Sequence, residues 1–228
     1  LDMAVNNDFS EDYSDPNSDC YTEEIALGWR LPASNLTETT LVDFTNAITG
    51  FTPSTPQEYA EYKSANTDVL TRIAAAVARK PLAQLVEDIA DAAGYEGGFH
   101  ISLSPDGLPA FSGGGCLSAR DLARFGLLFA RAGSDISDTP FANTAFIAHS
   151  LSREAPKLTP PKGWLRYSNH LMTDGRFVGH AGYGGQFLMV DTLSGTCCAF
   201  LSVLENEAGY DDAYMGLVAR TLRKLCDR

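Results

Sequence analysis

Phe177-Val178-Gly179-His180-Ala181-Gly182-Tyr183-Gly184-Gly185-Gln186-Phe187-Leu188-Met189-Val190-Asp191 starts as a strand, breaks into glycines and resumes as a strand. Glycine weakens a strand interior, so Gly179, Gly182, Gly184 and Gly185 mark a bulge or a close backbone approach. A glycine-rich hairpin that lets another element pack closely has this pattern. So does a wall that carries a substrate and aims peptide N–H groups at a developing oxyanion. Composition alone leaves both readings open.

The flanks extend the pattern. Trp164 to Met172 reads as one strand, Arg176 to Ala181 as a second, Gly185 to Asp191 as a third and Cys197 to Leu204 as a fourth. Asp174-Gly175 is a hairpin signal between the first two, and Leu193-Ser194-Gly195-Thr196 turns between the last two. A final helix over about Tyr210 to Leu225 gathers Tyr214, Leu217, Val218, Thr221, Leu222 and Leu225 on one face.

Upstream, Leu41, Phe44, Ala47 and Ile48 give a helix over Thr39 to Ile48, with Gly50 as its stop. Ser64 or Asn66 caps a helix running to about Arg79, with Val69, Leu70, Ile73, Ala76 and Val77 inward. Pro81 opens another that ends near Gly94. Ser118 caps Ala119 to Ala132, which buries Leu122, Phe125, Leu128 and Phe129, and Gly133 closes it. A further helix covers Pro140 to Leu151. Residues 1–35 read as irregular and polar, with Glu11 to Asp19 dense in turn formers. The expected fold class is therefore α+β: a helical region, then an antiparallel meander, then a covering helix. Residues 1–160 form the mainly helical and loop part, and 161–228 the strands and last helix.

Composition narrows the function. The 228 residues are 44% hydrophobic, enough for a substantial core. No run approaches the ~18 apolar residues of a membrane span. Leu1-Asp2-Met3-Ala4-Val5 has no basic n-region, so it is not a signal peptide, and the chain reads as beginning in the middle of something. A net charge of −12 argues against a nucleic-acid partner. Cys20, Cys116, Cys197, Cys198 and Cys226 match no zinc or CxxC spacing and read mostly as small buried hydrophobes. They favour a reducing, cytoplasmic setting over the periplasm. No metal or organic cofactor is implied.

The chain holds no GxSxG elbow, HExxH, P-loop or GxGxxG after a strand. It also lacks Ser-x-x-Lys: none of Lys63, Lys80, Lys157, Lys162 and Lys224 has a serine three positions before it. What remains is Tyr62 just ahead of a helix, Tyr13 in a polar loop, and His180 in the glycine-rich strand. A tyrosine titrates near 10 and acts as a base only beside a cation. His180 is equally a histidine satisfied by a backbone carbonyl.

Four stretches, in order, carry a resemblance. Gly113-Gly114-Gly115-Cys116-Leu117-Ser118-Ala119-Arg120-Asp121-Leu122-Ala123-Arg124-Phe125-Gly126 resembles the GG-x-x-x-[ST]-A-R-D-L-A-R-x-G segment of the serine β-lactamase-related superfamily. That superfamily includes class C β-lactamases, DD-peptidases, family VIII carboxylesterases and 6-aminohexanoate-dimer hydrolases. Glu11-Asp12-Tyr13-Ser14-Asp15-Pro16 with Gly28-Trp29-Arg30, and Tyr62-Lys63-Ser64-Ala65-Asn66-Thr67-Asp68, are similar to its nylon-oligomer hydrolase branch. His180-Ala181-Gly182 stands where the superfamily has Lys-Thr-Gly or His-x-Gly.

The resemblance implies a bacterial, soluble serine hydrolase of esters or amides with a β-lactamase/DD-peptidase-like fold. Tyr62 would help activate the nucleophile and pass its proton to the leaving group, and the N–H of Tyr183 would be an oxyanion-hole donor. Tyr13 and Trp29 would line the substrate cleft, beside Ser64, His180 and Gly182. Ser112 and Ala208 stand where that branch meets the substrate's amino end, and Glu24 keeps an acid at a third such position. The substrate is then as readily a carboxylic ester as an aminohexanoate oligomer. Ser-x-x-Lys lies, in the family, before the point where this chain starts. The nucleophile is therefore expected on a preceding segment, and the isolated chain is expected not to turn over substrate. A non-catalytic acyl- or peptide-binding relative, or an inactive fragment, is the alternative.

Overall fold

The structure is a computed structural model that describes residues 5–12, 15, 17–32, 37–53, 59–152, 154–203 and 211–227. Two compact units each gather several chain segments. The first comprises Leu1–Thr55, Glu61–Glu87 and Phe99–Cys116; the second comprises Pro56–Ala60, Asp88–Gly98 and Leu117–Arg228.

In the first unit, β1 (Val5–Asn6) pairs antiparallel with β2 (Thr52–Pro53), and between them lie α1 (Asp19–Ala26) and α2 (Leu41–Ala47). The helix α3 (Ser64–Val77) follows. The helix α4 (Leu82–Ala93) carries the chain out of this unit, and β3 (His100–Ile101) pairs with β4 (Gly115–Cys116) after its return. Phe9, Cys20, Ala26, Leu27, Leu41, Phe44, Ala65 and Ala110 form the core, with Phe9 edge-on to Phe44 at 6.0 Å. Thr40 caps α2 by accepting from the Asp43 N–H at 3.0 Å. Asp106 accepts from the Leu41 and Val42 N–H groups, so a carboxylate meets the positive helix end.

The helix α1 corrects the expectation of an irregular stretch over residues 1–35. Its inward residues include Cys20, Glu23 and Ala26, with Leu27 following. The spacing is helical, but one inward position is a glutamate, which reads as a solvated residue. The cap of α3 is also not as expected. Lys63 occupies the N-cap position, and Ser64 is already helical.

The second unit is built on a five-stranded antiparallel sheet in the order β5 (Arg166–Ser168), β6 (Leu171–Thr173), β7 (Phe177–Gly182), β8 (Gln186–Asp191), β9 (Cys197–Phe200). The expected single strand Trp164 to Met172 is two. Asn169 and His170 both take positive φ, 51° and 62°, so the chain reverses in two residues and Ser168 pairs with Leu171.

Side chains alternate across this sheet as a pleat requires. Val178, Leu188, Val190 and Cys197 face Leu122, Phe125 and Phe129 of α5 (Ala119–Ala130). Phe177, Phe187, Met189 and Cys198 face Met215, Ala219 and Leu222 of α7 (Asp212–Cys226). The sheet is thus covered on both faces. Each large apolar side chain buried this way is worth about 1.5–3 kcal/mol, against ~1 kcal/mol net for a hydrogen bond. The two apolar faces, more than the short ladders, hold the sheet. The expected helix Pro140 to Leu151 is shorter, α6 (Thr144–Ser150), because Asn143 caps it by accepting from Ala145 and Phe146 N–H. Among the described residues no helix is long and apolar enough to cross a membrane.

Candidate functional site

In the first unit, Tyr62 stands two residues before Ser64, the first residue of α3, and is 39% exposed. The start of this helix is held tightly. Glu11 accepts from the Ser64 N–H at 2.9 Å, and thus caps the helix from outside its own chain segment. Lys63 is buried, and its ammonium donates to the carbonyls of Asn7 and Phe9 at 2.8 and 2.9 Å and pairs with Glu61 at 3.3 Å. Asn66 accepts from Asn7 Nδ2 at 2.8 Å. The residues behind Tyr62 therefore have fixed partners.

Behind Ser64 lies a set of buried acids that sequence reasoning missed. Ser64 Oγ is 3.1 Å from Glu11 Oε2 and 2.8 Å from Glu23 Oε2. A hydroxyl has one proton to donate, so one of these two contacts requires a protonated carboxyl. Glu23 is the candidate. Burial, then the neighbouring Asp68 charge, pushes its carboxyl far above the ordinary range. Asp68, with no exposed surface, is also raised, chiefly by burial. The Ser112 hydroxyl and the Glu23 carboxyl lie beside Asp68 and favour its charged form. Glu23 Oε1, both Asp68 oxygens and Ser112 Oγ still lack a well-formed hydrogen bond. The arrangement Ser64–Glu23–Asp68–Ser112 joins two expected site residues through two that were not expected. The available signal was Cys20, Glu23 and Leu27 at helical spacing, with the glutamate counted as an inward residue.

The remaining expected residues of this unit sit close to α1. Trp29 is 43% exposed; its Nε1 donates to Ser102 Oγ at 2.6 Å, and a Cβ at Gly113 would stand 2.9 Å from its ring. Glu24 accepts from Arg30 Nε at 2.5 Å, and Arg30 lies over the Tyr21 ring. Tyr13 and Ala208 lie outside the described residues.

In the second unit, the Ser-Ala-Arg-Asp stretch is architectural. Ser118 caps α5 by accepting from the Asp121 N–H at 3.1 Å. Asp121 is buried and accepts from the N–H groups of Glu96 and Gly97, from Ser118 Oγ and from Arg124. The Glu96 N–H foremost, then Ser118, holds its carboxyl below the usual range. Gly126 lets α5 approach the sheet: a Cβ there would meet Val190 at 2.9 Å.

The β7–β8 hairpin divides its glycines between two tasks. A Cβ at Gly179 would overlap the Leu188 carbonyl oxygen, so that glycine serves close approach. Gly184 and Gly185 have φ of 74° and 84° and form the turn after Gly182 and Tyr183. Tyr183 is 56% exposed at its tip. Ser202 Oγ meets the carbonyls of Gly184 and Gly185 at 2.8 and 3.0 Å, and Gln186 Nε2 donates to the Ser202 carbonyl. His180 Nδ1 is 2.7 Å from the Ala181 carbonyl and Nε2 is 3.2 Å from Tyr167 Oη. A carbonyl only accepts, so Nδ1 carries the proton and Nε2 accepts from Tyr167. Burial lowers the His180 pKa, which keeps this tautomer neutral. Among the described residues, no group of three or more His, Cys, Asp or Glu side chains is arranged to hold a metal ion.

The α+β layout and these motifs define a β-lactamase-like fold. The chain belongs to the beta-lactamase family, whose model matches residues 29–220. That span includes the Tyr62 stretch, the capped α5 and the β7–β8 hairpin. Among solved structures, the chain is similar to the "Putative 6-aminohexanoate-dimer hydrolase from Bacillus anthracis", with a TM-score of 0.77 and 19% identity. The likeness covers 98% of this chain and 60% of that one, so the chain spans about three-fifths of that protein's length. No curated protein matches.

Proposed function

We propose that the protein is a serine hydrolase that cleaves esters or amides through an acyl-enzyme, of the carboxylesterase or aminohexanoate-oligomer-hydrolase type. The observation that carries this reading is Tyr62: a half-exposed tyrosine immediately ahead of a helix start tied down by Glu11 and Lys63, in a chain of the beta-lactamase family. A rigid mount is what a proton-transfer group needs. Tyr62 helps deprotonate the nucleophile and delivers the proton to the leaving group. The Tyr183 N–H, at the tip of a turn fixed by Ser202, serves the acyl oxygen. Tyr13, Trp29, Glu24, Gly182 and His180 shape the substrate site, the neutral His180 contributing shape rather than charge, and Ser64 and Ser112 back it from the buried acids.

In the first half-reaction a serine oxygen adds to the substrate carbonyl, and collapse expels the protonated leaving group. Water then repeats the addition and releases the acid. The nucleophile is supplied from outside these 228 residues, since no serine here precedes a lysine by three positions. That same absence favours the second reading, a non-catalytic binder of acyl or peptide ligands. The test is hydrolysis of a p-nitrophenyl ester. The 228 residues alone are expected to be inactive. A longer form carrying Ser-x-x-Lys is expected to turn over and to label with a fluorophosphonate, and Tyr62→Phe in it to lose roughly 10²–10³-fold in kcat. Full, serine-reagent-sensitive activity from the 228 residues alone overturns the external nucleophile. A longer form that binds ester without turnover supports the binder.

A further inference from the structure

All five cysteines are free thiols, but Cys198 and Cys226 have each other. Their sulfurs lie 3.2 Å apart across 28 positions of sequence. Cys226 ends α7 and is 1% exposed, on the same face as Met215, Ala219 and Leu222. Its sulfur also lies 3.6 Å from the Met189 carbonyl, and Met189 is the register partner of Cys198. The helix end thus sits on one rung of the β8–β9 ladder. Cys197, the sequence neighbour, points to the other face among the residues packed against α5. Only one of the two adjacent thiols reaches Cys226.

We propose that Cys198 and Cys226 are a redox-sensitive dithiol, and that a low-molecular-weight disulfide oxidises them to a bond tying α7 to strand β9. The sulfurs need approach by only about 1 Å to reach a normal S–S length. Cys198 is the half-buried partner and the one a small disulfide meets first. Its thiolate attacks one sulfur of oxidised glutathione, forming a mixed disulfide and expelling one glutathione thiolate. The Cys226 sulfur then attacks the Cys198 sulfur, and its proton leaves with the second glutathione. Two protein thiols are oxidised, and one glutathione disulfide is reduced to two thiols. Burial, then Cys198, pushes the Cys226 thiol up to about 12, so the first attack falls to Cys198 and Cys226 follows only once the mixed disulfide is held beside it.

The full chain is incubated with excess oxidised glutathione, alkylated and digested with trypsin without reduction. The expected product joins the peptide Phe177–Arg220 to Leu225–Arg228. It is two hydrogens lighter than the sum of the two peptides. The thermal midpoint is expected to rise by roughly 6–12 °C, as closing a loop of this length predicts, and dithiothreitol reverses the rise. Cys197→Ser is expected to keep the bond. Cys198→Ala, whose half-buried position tolerates truncation, and Cys226→Ser are each expected to lose it. A bond that survives Cys198→Ala, a reaction that stops at the glutathione adduct, or a bond without change in thermal midpoint overturns the proposal.

Discussion

The two units bury carboxyl groups in opposite ways. In the first, Glu23 and Asp68 face each other with no basic side chain among the groups that set their pKa values, and both titrate high. In the second, Arg176 grips Asp191 through Nε and Nη2, and Leu193 N–H and Ser194 Oγ add to it. Arg176 foremost drives Asp191 far below the ordinary carboxylate range. Burial alone therefore does not decide whether an acid is charged; the donors around it do. The two arrangements also respond to pH with opposite sign. Glu23 binds its proton more tightly folded than unfolded. Its contribution is complete below the ordinary carboxylate range and is lost as pH rises toward its raised folded value. The Asp191 contribution is complete above about pH 4 and is lost as pH falls toward its depressed folded value.

The harshest way to break this comparison is Asp191→Ala. It takes the buried partner from Arg176, which keeps Asp227 at 3.2 Å, and from two turn donors, and we expect a loss of about 2–4 kcal/mol. That is below a fully enclosed pair, because Arg176 keeps 36% of its side chain exposed. Urea unfolding at neutral pH measures it, and a loss under 1 kcal/mol would mean that Arg176 compensates little. Glu23→Gln goes the other way. The amide can offer an N–H where the protonated acid meets Ser64 at 2.8 Å, but cannot ionise beside Asp68. Melting of the parent chain between about pH 5 and pH 9 is expected to show midpoints that fall as pH rises, and the variant's midpoints to fall less, since only Asp68 of the pair still titrates. At the alkaline end the variant is expected to be about 1 kcal/mol, or ~2–4 °C, more stable. Parallel traces would place an ionised carboxylate at Glu23. The mildest change is Ser118→Ala, which removes one of the Asp121 donors and the α5 cap. Two backbone N–H groups and Arg124 remain. A loss of about 1 kcal/mol in thermal or chemical denaturation is expected, and a much larger one would give Ser118 the dominant part in holding Asp121.

Where local chemistry and tertiary burial agree, the elements were legible before any coordinates. The strands β7 and β8, the helix α5 with its Ser118 cap, and α7 all lie within a residue or two of expectation. The misses have physical causes. The helix α1 hid because Glu23 faces inward, and an acid's protonation depends on neighbours far away in sequence. The β5–β6 turn hid because Asn169 and His170, not glycines, adopt the left-handed conformation. Tyr62, Tyr183 and His180 could be named as candidates from motif and position. The partner of His180 Nε2 could not, because it is Tyr167, thirteen residues away in another strand. Nor could the Glu11 contact that caps α3 from 53 residues upstream.

The hydroxyl of Ser202 has a reach beyond its own contacts. Peptide units are planar and trans, so fixing a carbonyl also fixes the N–H on the opposite side of the same plane. By meeting the carbonyls of Gly184 and Gly185, Ser202 orients the N–H groups of Gly185 and Gln186 as well. Glycines in a turn are the residues most free to let such planes rotate. One side chain from beyond β9 thus acts as a lock on peptide rotation at the tip of the hairpin, so that the direction of its amide dipoles is a property of the folded sheet rather than of the loop.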